Sequence, residues 1–357
     1  MPNRADGRSD GPYAFVDALR GVAALVVVYF HLHLHVFAGY PARAIEPDSA
    51  TWWIVFGFFD LGKFAVACFF IVSGFLIPTT LDRPGASLRA FALHRFLRLY
   101  PALWFALAVF VVVALWRGQR VPWEHLAINA TLAQGFVGVR ELLGVTWTLQ
   151  IELIFYGLCG FLFAIKRFER RERYVWAALA AALACAGLRY GLERRFPVAL
   201  FIALALMFWG DMLRRGLPTR NIAVASCSIV LVLAPTCYLG YQEDARRYWV
   251  TYVAAMAVFA CLYHRREMFT RTPCAPAFAW LANASYSVYL LQQPLVIVPA
   301  RAMKAAGWSP WAITMVMLPG LVVVAHLVYR LIEAPCIRLG KRLTGPPKPQ
   351  APPTTAP

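Results

Sequence analysis

Arg20 and His31 stand eleven positions apart in the apolar stretch FVDALRGVAALVVVYFHLHLH, which runs from Phe15 to His35. On an α-helix that spacing is about three turns, so a guanidinium and an imidazole share nearly one face, roughly 16 Å apart along the axis. In a hydrocarbon layer about 30 Å thick, the arginine falls near one edge and the histidine near the middle. An Arg or Asp at the centre of a membrane helix costs about 2.5 to 3.5 kcal/mol on insertion scales, so ionisable groups there point to function by default. Asp17 lies at the same end as Arg20. The simpler reading of His31 is an interhelical hydrogen bond to a neighbour.

Three further stretches carry polar groups where an apolar helix would not hold them idly. In SLRAFALHRFLRLYP, helical geometry places His94, Arg95 and Arg98 within an arc of about 100°, an anion site whose paired guanidinium forks match phosphate oxygens. The same residues also suit simple anchoring at the cytosolic surface. In TWTLQIELIFYG, beginning at Thr146 with Trp147, Glu152 needs a partner: His31 if the two helices adjoin, or Tyr156 or Thr148 one turn away. NASYSVYLLQQPL presents Ser285, Tyr286, Ser287, Tyr289, Gln292 and Gln293 on several faces, so part of that helix meets an aqueous or protein interior. Asp60 with Lys63, Asp211 with Arg214, and Arg330 with Glu333 are each three apart and read as local salt bridges.

These side chains must be positioned by membrane-spanning helices. The 357 residues are 60% hydrophobic and only 15% charged, far from a soluble domain. The net charge of +17 is spread over short clusters between apolar runs, as the positive-inside rule requires, which argues against a nucleic-acid partner. The eight cysteines occur without CxxC or Cys/His metal spacing, so no metal site is expected. Cys68, Cys159, Cys185, Cys227 and Cys261 read as small packing residues. A signal peptide cleaved near Ala42 and Ala44 is rejected, because it would remove the histidine-bearing helix.

Apolar windows predict an all-α membrane protein, a polytopic bundle of about ten transmembrane helices near 18–38, 61–81, 101–116, 147–165, 174–190, 198–213, 221–240, 248–263, 278–299 and 311–332. With a cytosolic N-terminus, 23 of the 35 lysines and arginines fall on the inner side and 11 on the outer, with Lys63 inside a helix. Both termini are therefore expected in the cytosol. Trp52, Trp53, Trp116, Trp123, Trp147, Trp249, Trp308 and Trp311 at span edges fit interfacial belts. The expected division is a polar segment 1–13, one membrane domain 14–342, and a Pro-rich disordered tail 343–357.

From Phe15 to Arg342 the chain resembles the acyltransferase-3 family of polytopic membrane O-acyltransferases. The likeness rests on FVDALRGVAALVVVYFHL, FFIVSGFLI, HRFLRLYPALW, TWTLQIELIFYG, SYSVYLLQQPL and the closing IEAPCIRLGKR, all in the family's order. The resemblance implies transfer of an acyl group, usually acetyl from cytosolic acetyl-CoA, to a hydroxyl of a carbohydrate or lipid-linked glycan acceptor at the cytoplasmic (inner) membrane. It implies no tightly bound cofactor, with acyl-CoA as co-substrate and membrane lipids as surroundings. The family's arginine and histidine match Arg20 and His31, its arginine pair Arg95 and Arg98, and its acidic residue Glu152. Two positions depart: Gln292 stands where a histidine is common, and Ala67 where an acidic residue is frequent.

A sugar hydroxyl is a poor nucleophile at neutral pH, so attack on a thioester needs a base and donors for the developing oxyanion. On this reading His31 and Glu152 are catalytic, with Glu152 orienting the base or binding acceptor. Arg20, Arg95 and Arg98 hold the acyl-CoA phosphates. Asp17, Ser73, Trp147, Ser285, Tyr286, Tyr289 and Gln292 support the acceptor side. The rival reading is a secondary transporter that exports a glycan or lipid intermediate, with the same Arg, His and Glu coupling protons.

Overall fold

The structure, a computed structural model, describes residues 13–37, 57–58, 60–270 and 272–344. The Trp52 and Trp53 belt positions, the Ala42 and Ala44 cleavage site, nearly all of segment 1–13 and residues 345–357 of the expected tail lie outside the described residues. The described chain is helical, with no strand among the described residues. Helix α1 (Ala14–Leu32) is prolonged by a π-helical turn (His33–Phe37), and α2 (Leu61–Leu76) by a 3₁₀ turn (Ile77–Thr80). Next come α3 (Leu88–Trp116), the short α4 (Trp123–Ala130), α5 (Trp147–Ala164), α6 (Tyr174–Leu192), α7 (Val198–Arg214), α8 (Thr219–Tyr241) and α9 (Ala245–His264). A short α10 (Arg266–Thr270) precedes α11 (Ala275–Gln292), which passes through a π-helical turn (Gln293–Ile297) into α12 (Val298–Ala305). Helix α13 (Pro310–Val328) continues through a third π-helical turn (Tyr329–Glu333) into α14 (Ala334–Thr344).

By length and composition, seven stretches of the described residues can cross a membrane: Ala14–Val36, Leu61–Thr80, Leu88–Trp116, Trp147–Ala164, Phe168–Leu192, Thr219–His264 and Pro310–Thr344. The sequence expectation was finer because it split Thr219–His264 at the turn between α8 and α9 and added α7 and α11. The third expected span began at 101, yet α3 starts at Leu88. Arg89, Arg95 and Arg98 lower the local hydropathy without ending the helix, since the backbone bonds stay within the segment whatever the side chains do. At the other end Leu343 and Thr344, expected in the tail, belong to α14. Trp116, Trp123, Trp147, Trp308 and Trp311 are exposed near helix ends, as a belt requires.

Helix α1 is the seam of the molecule. Phe15, Val16 and Leu19 join a core built mainly from α2, α5, α6, α7, α8 and α9. Further along, Ala23, Ala24, Val27, Val28 and Leu32 join a second core with α3, α11 and α13. A helix that is apolar on nearly every face belongs inside a bundle. Helices α2 and α7 approach backbone to backbone: a Cβ on Gly74 would lie 1.8 Å from the Met207 carbonyl oxygen, and one on Gly210 2.4 Å from that of Ile71. Small residues permit this contact, which supplies packing that apolar side chains cannot gain against lipid.

The expected Asp211–Arg214 salt bridge forms at 2.8 Å, within a larger network. Arg171, from the basic segment between α5 and α6, is buried and meets Asp211 and Asp82, each at 2.7 Å, while Arg214 also pairs with Asp82. This network ties the end of α7 to the loop joining α2 and α3. Asp60 caps α2 by accepting from the Lys63 amide at 2.7 Å and pairs with its ammonium at 3.7 Å, as expected. The expected Arg330–Glu333 bridge is not made: Glu333 turns inward to accept from the Ser287 hydroxyl, and Arg330 is exposed. The π-helical turn between α13 and α14 alters the register that places residues three apart on one face. Cys68 and Cys159 are buried, whereas Cys227 and Cys261 are exposed rather than packed.

Candidate functional site

Five helices each turn one stripe toward a common cavity of about 120 Å³. The stripes follow helical spacing: Val66, Phe69, Phe70, Ser73 and Ile77 on α2 and its 3₁₀ turn, Arg95, Arg98 and Leu99 on α3, and Thr148, Leu149 and Glu152 on α5. Ser285, Tyr286 and Tyr289 come from α11, and Arg20 from α1. Eight of the residues singled out from sequence therefore share one space: Arg20, Ser73, Arg95, Arg98, Glu152, Ser285, Tyr286 and Tyr289.

The cavity is cationic. Arg95 lies 5.1 Å over the Tyr156 ring and 5.4 Å over that of Phe91, and its guanidinium reaches the Ile77 carbonyl at 3.4 Å. Among the described residues no carboxylate forms an ion pair with Arg95 or Arg98. Arg20 donates to Ser285 Oγ at 3.2 Å. Aromatic faces hold a guanidinium in place while leaving its fork for an incoming anion. The buried Glu333, held by Ser287, lies within electrostatic reach of Arg98 and Arg20. In the sequence it reads only as half of a local salt bridge, although it sits in the quoted closing motif. His94 turns instead toward α14, with Nε2 3.0 Å from Thr344 Oγ1.

The expected contact between Glu152 and His31 is not made. Helix α5 packs on α2, α3 and α7, whereas α1 packs on α2, α11 and α13, so α2 and α11 come between them. Glu152 accepts from the Tyr156 hydroxyl one turn away, the local alternative recognised from sequence. Thr148 takes a different partner, bonding the Tyr289 hydroxyl at 2.8 Å. Tyr286 is held by the Leu99 carbonyl at 2.9 Å, tying α11 to α3 beside the arginines.

His31 lies outside this cavity, one turn beyond it. Its Nδ1 is 2.8 Å from Gln292 Oε1, and Gln292 follows the cavity-lining Tyr289 by three residues on α11. Gln292, the position singled out from the resemblance as a departure, is thus the direct partner of the first-helix imidazole. Both helices pass into π-helical turns immediately after this pair, at His33 and Gln293. Such turns inside α-helices are frequent at functional sites. His33 is buried beside Tyr29, and His35 meets Arg301 at 2.7 Å. Two more expected site residues join neither the cavity nor the His31–Gln292 pair: Asp17 is half-buried and outside the cavity, and Trp147 lines a separate small space with Lys63 and Tyr252.

The family model for the acyltransferase domain matches residues 13–330, and the chain belongs to that family of acyltransferases. Among curated relatives, it is 22% identical to the peptidoglycan O-acetyltransferase OatA of Listeria monocytogenes over 91% of this chain and 56% of that protein. It is 24% identical to nodulation protein 10 of Rhizobium leguminosarum bv. viciae, over 90% of this chain and 93% of that protein. It is 26% identical to the exopolysaccharide production protein ExoZ of Rhizobium meliloti, over 79% and 92%. The chain thus spans little more than half of the peptidoglycan O-acetyltransferase and nearly the whole of the other two. No solved structure matches.

Proposed function

We propose that this chain is an O-acyltransferase of the cytoplasmic membrane that moves an acyl group, acetyl above all, from acyl-CoA to a hydroxyl of an envelope carbohydrate or lipid-linked glycan. The observation that carries the reading is a pair of arginines, Arg95 and Arg98, that form no ion pair with a carboxylate among the described residues, in a cavity lined by Tyr289, one helical turn before the Gln292 that meets His31. Family membership favours transfer over transport. The names of the relatives, which point to peptidoglycan and exopolysaccharide, favour a polymeric carbohydrate acceptor.

In this mechanism Arg95 and Arg98 bind the CoA phosphates, Arg20 extends the positive field, and the pantetheine arm lies along the α2 and α11 stripes. The acceptor oxygen attacks the thioester carbonyl carbon while His31 takes the hydroxyl proton. The tetrahedral intermediate collapses with cleavage of the carbon–sulfur bond, and the imidazolium returns its proton to the departing thiolate. The products are the ester and free CoA. No tightly held cofactor takes part, and acyl-CoA is a co-substrate. Glu152, bonded to Tyr156, supports the donor cavity rather than orienting the base, a change of role that follows from its place beside the arginines.

The same reading gives residues 14–342 as one domain with about ten crossings and both termini in the cytosol, supported by the lysine and arginine asymmetry. Cysteine labelling in intact cells should find position 170 shielded from an impermeant reagent. Labelling from outside would invert the orientation and remove the donor from the arginine side.

Radiolabelled acetyl-CoA should bind the purified protein and yield CoA, an activity with no place in a transporter. Arg95→Lys and Arg98→Lys keep the charge and lose the bidentate fork. Each should insert normally and bind acetyl-CoA about tenfold more weakly, the loss of about 1.4 kcal/mol that one charge-assisted hydrogen bond represents. Donor affinity unchanged in both variants would return these arginines to membrane anchoring.

A further inference from the structure

We infer that Gln292 holds the His31 imidazole with its proton on Nδ1 and its lone pair on Nε2, making Gln292 a positioning residue for the base. The inference deepens the reading of His31 as general base and rests on it for its catalytic consequence.

The amide orientation decides the matter. Gln292 Nε2 donates to the Tyr289 carbonyl at 2.9 Å, which leaves Oε1 facing His31 Nδ1 at 2.8 Å. Flipping the amide would set its oxygen against the Tyr289 carbonyl oxygen, two acceptors with no proton between them. An amide oxygen only accepts, so His31 Nδ1 must donate. In a neutral imidazole the proton on one nitrogen leaves the other as the acceptor. Nε2 is therefore the nitrogen able to take a hydroxyl proton.

The surroundings keep this arrangement in place. Gln292 is 1% exposed, and Tyr289, whose carbonyl anchors the amide, is itself fixed by Thr148 and by the Val145 carbonyl at 3.1 Å. When Nε2 gains a proton, the Nδ1–H bond to Gln292 becomes charge-assisted and strengthens, so the partner stabilises the imidazolium more than the resting imidazole. Glutamine does this without placing a second titratable ring beside the base.

Two variants and one spectroscopic measurement test the assignment. Gln292→Leu removes the acceptor with little change in bulk, and Gln292→Glu restores an acceptor oxygen. The expected result for Gln292→Leu is a fall in kcat of about 10- to 100-fold, by analogy with the loss of partners that orient metal-bound histidines, with the KM for acetyl-CoA unchanged. Gln292→Glu should recover most of that kcat. In 15N-histidine-labelled wild-type protein, with the His31 signal identified by its loss in His31→Ala, nitrogen chemical shifts should report a protonated Nδ1 and an unprotonated Nε2. A protonated Nε2 in the wild type would overturn the inference, and so would full kcat in Gln292→Leu. If Gln292→Leu does not fold, the wild-type spectrum decides alone. An active His31→Ala variant would remove the base assignment instead, leaving the tautomer to stand or fall on the spectrum.

Discussion

Replacing His31 with alanine should lower acyl transfer about 10²- to 10⁴-fold, the usual contribution of a general base, while acetyl-CoA still binds. Binding should survive because the arginine cavity does not include His31. The loss should appear in kcat, since the base acts on a proton that moves only in the transition state. His33→Ala is the packing control. That imidazole is 2% exposed beside Tyr29, so its removal should lower stability and leave the rate per folded molecule near wild type. Equal losses of rate at both positions would indicate collapse of the α1 terminus, and transfer above a tenth of wild type in a folded His31→Ala protein would refute the assignment.

The second large effect is on stability. Asp211 and Arg171 each have side chains only 1% exposed and are paired at 2.7 Å, with Arg214 and Asp82 completing the network. Asp211→Ala leaves Arg171 and Arg214 to share Asp82, with one buried guanidinium underpaired. Removing one partner of a buried ion pair costs about 3 to 5 kcal/mol. Unfolding in detergent should show a loss of that size. Asp211→Asn, which keeps the side chain's shape and one acceptor oxygen but loses the charge and turns the other oxygen into a donor, should lose less. A change below about 1 kcal/mol for Asp211→Ala would mean that the pair behaves as a solvated surface bridge.

Helix type and stripe were readable from sequence wherever the cause was local. The spacing of Arg95 and Arg98 placed both on one face of α3, and both line the cavity. The three-residue spacing of Asp211 and Arg214 gave a true salt bridge. Neighbour relations between helices were not readable, because many apolar stripes can pack against one another in a bundle. Depth alone matched Glu152 with His31, but α5 lies against α2, α3 and α7, and the imidazole meets Gln292 on α11. Arg171 was counted among cytosolic anchoring charges, yet it is buried against carboxylates 40 and 89 positions away. Glu333 failed as a local bridge because a π-helical turn changes the register there. The departure at Gln292 was visible in the sequence, but its meaning required knowing which side chain it faces.

On the proposed function, this chain would esterify an envelope carbohydrate through His31. Mass spectrometry of O-acyl groups on envelope glycans tests it most directly, in cells lacking the chromosomal copy and complemented with wild type or with His31→Ala at matched membrane levels. An O-acyl group, most simply O-acetyl, should disappear on deletion, return with the wild-type chain and not return with His31→Ala. Glycan acylation unchanged by deletion, or restored equally by both chains, would contradict it.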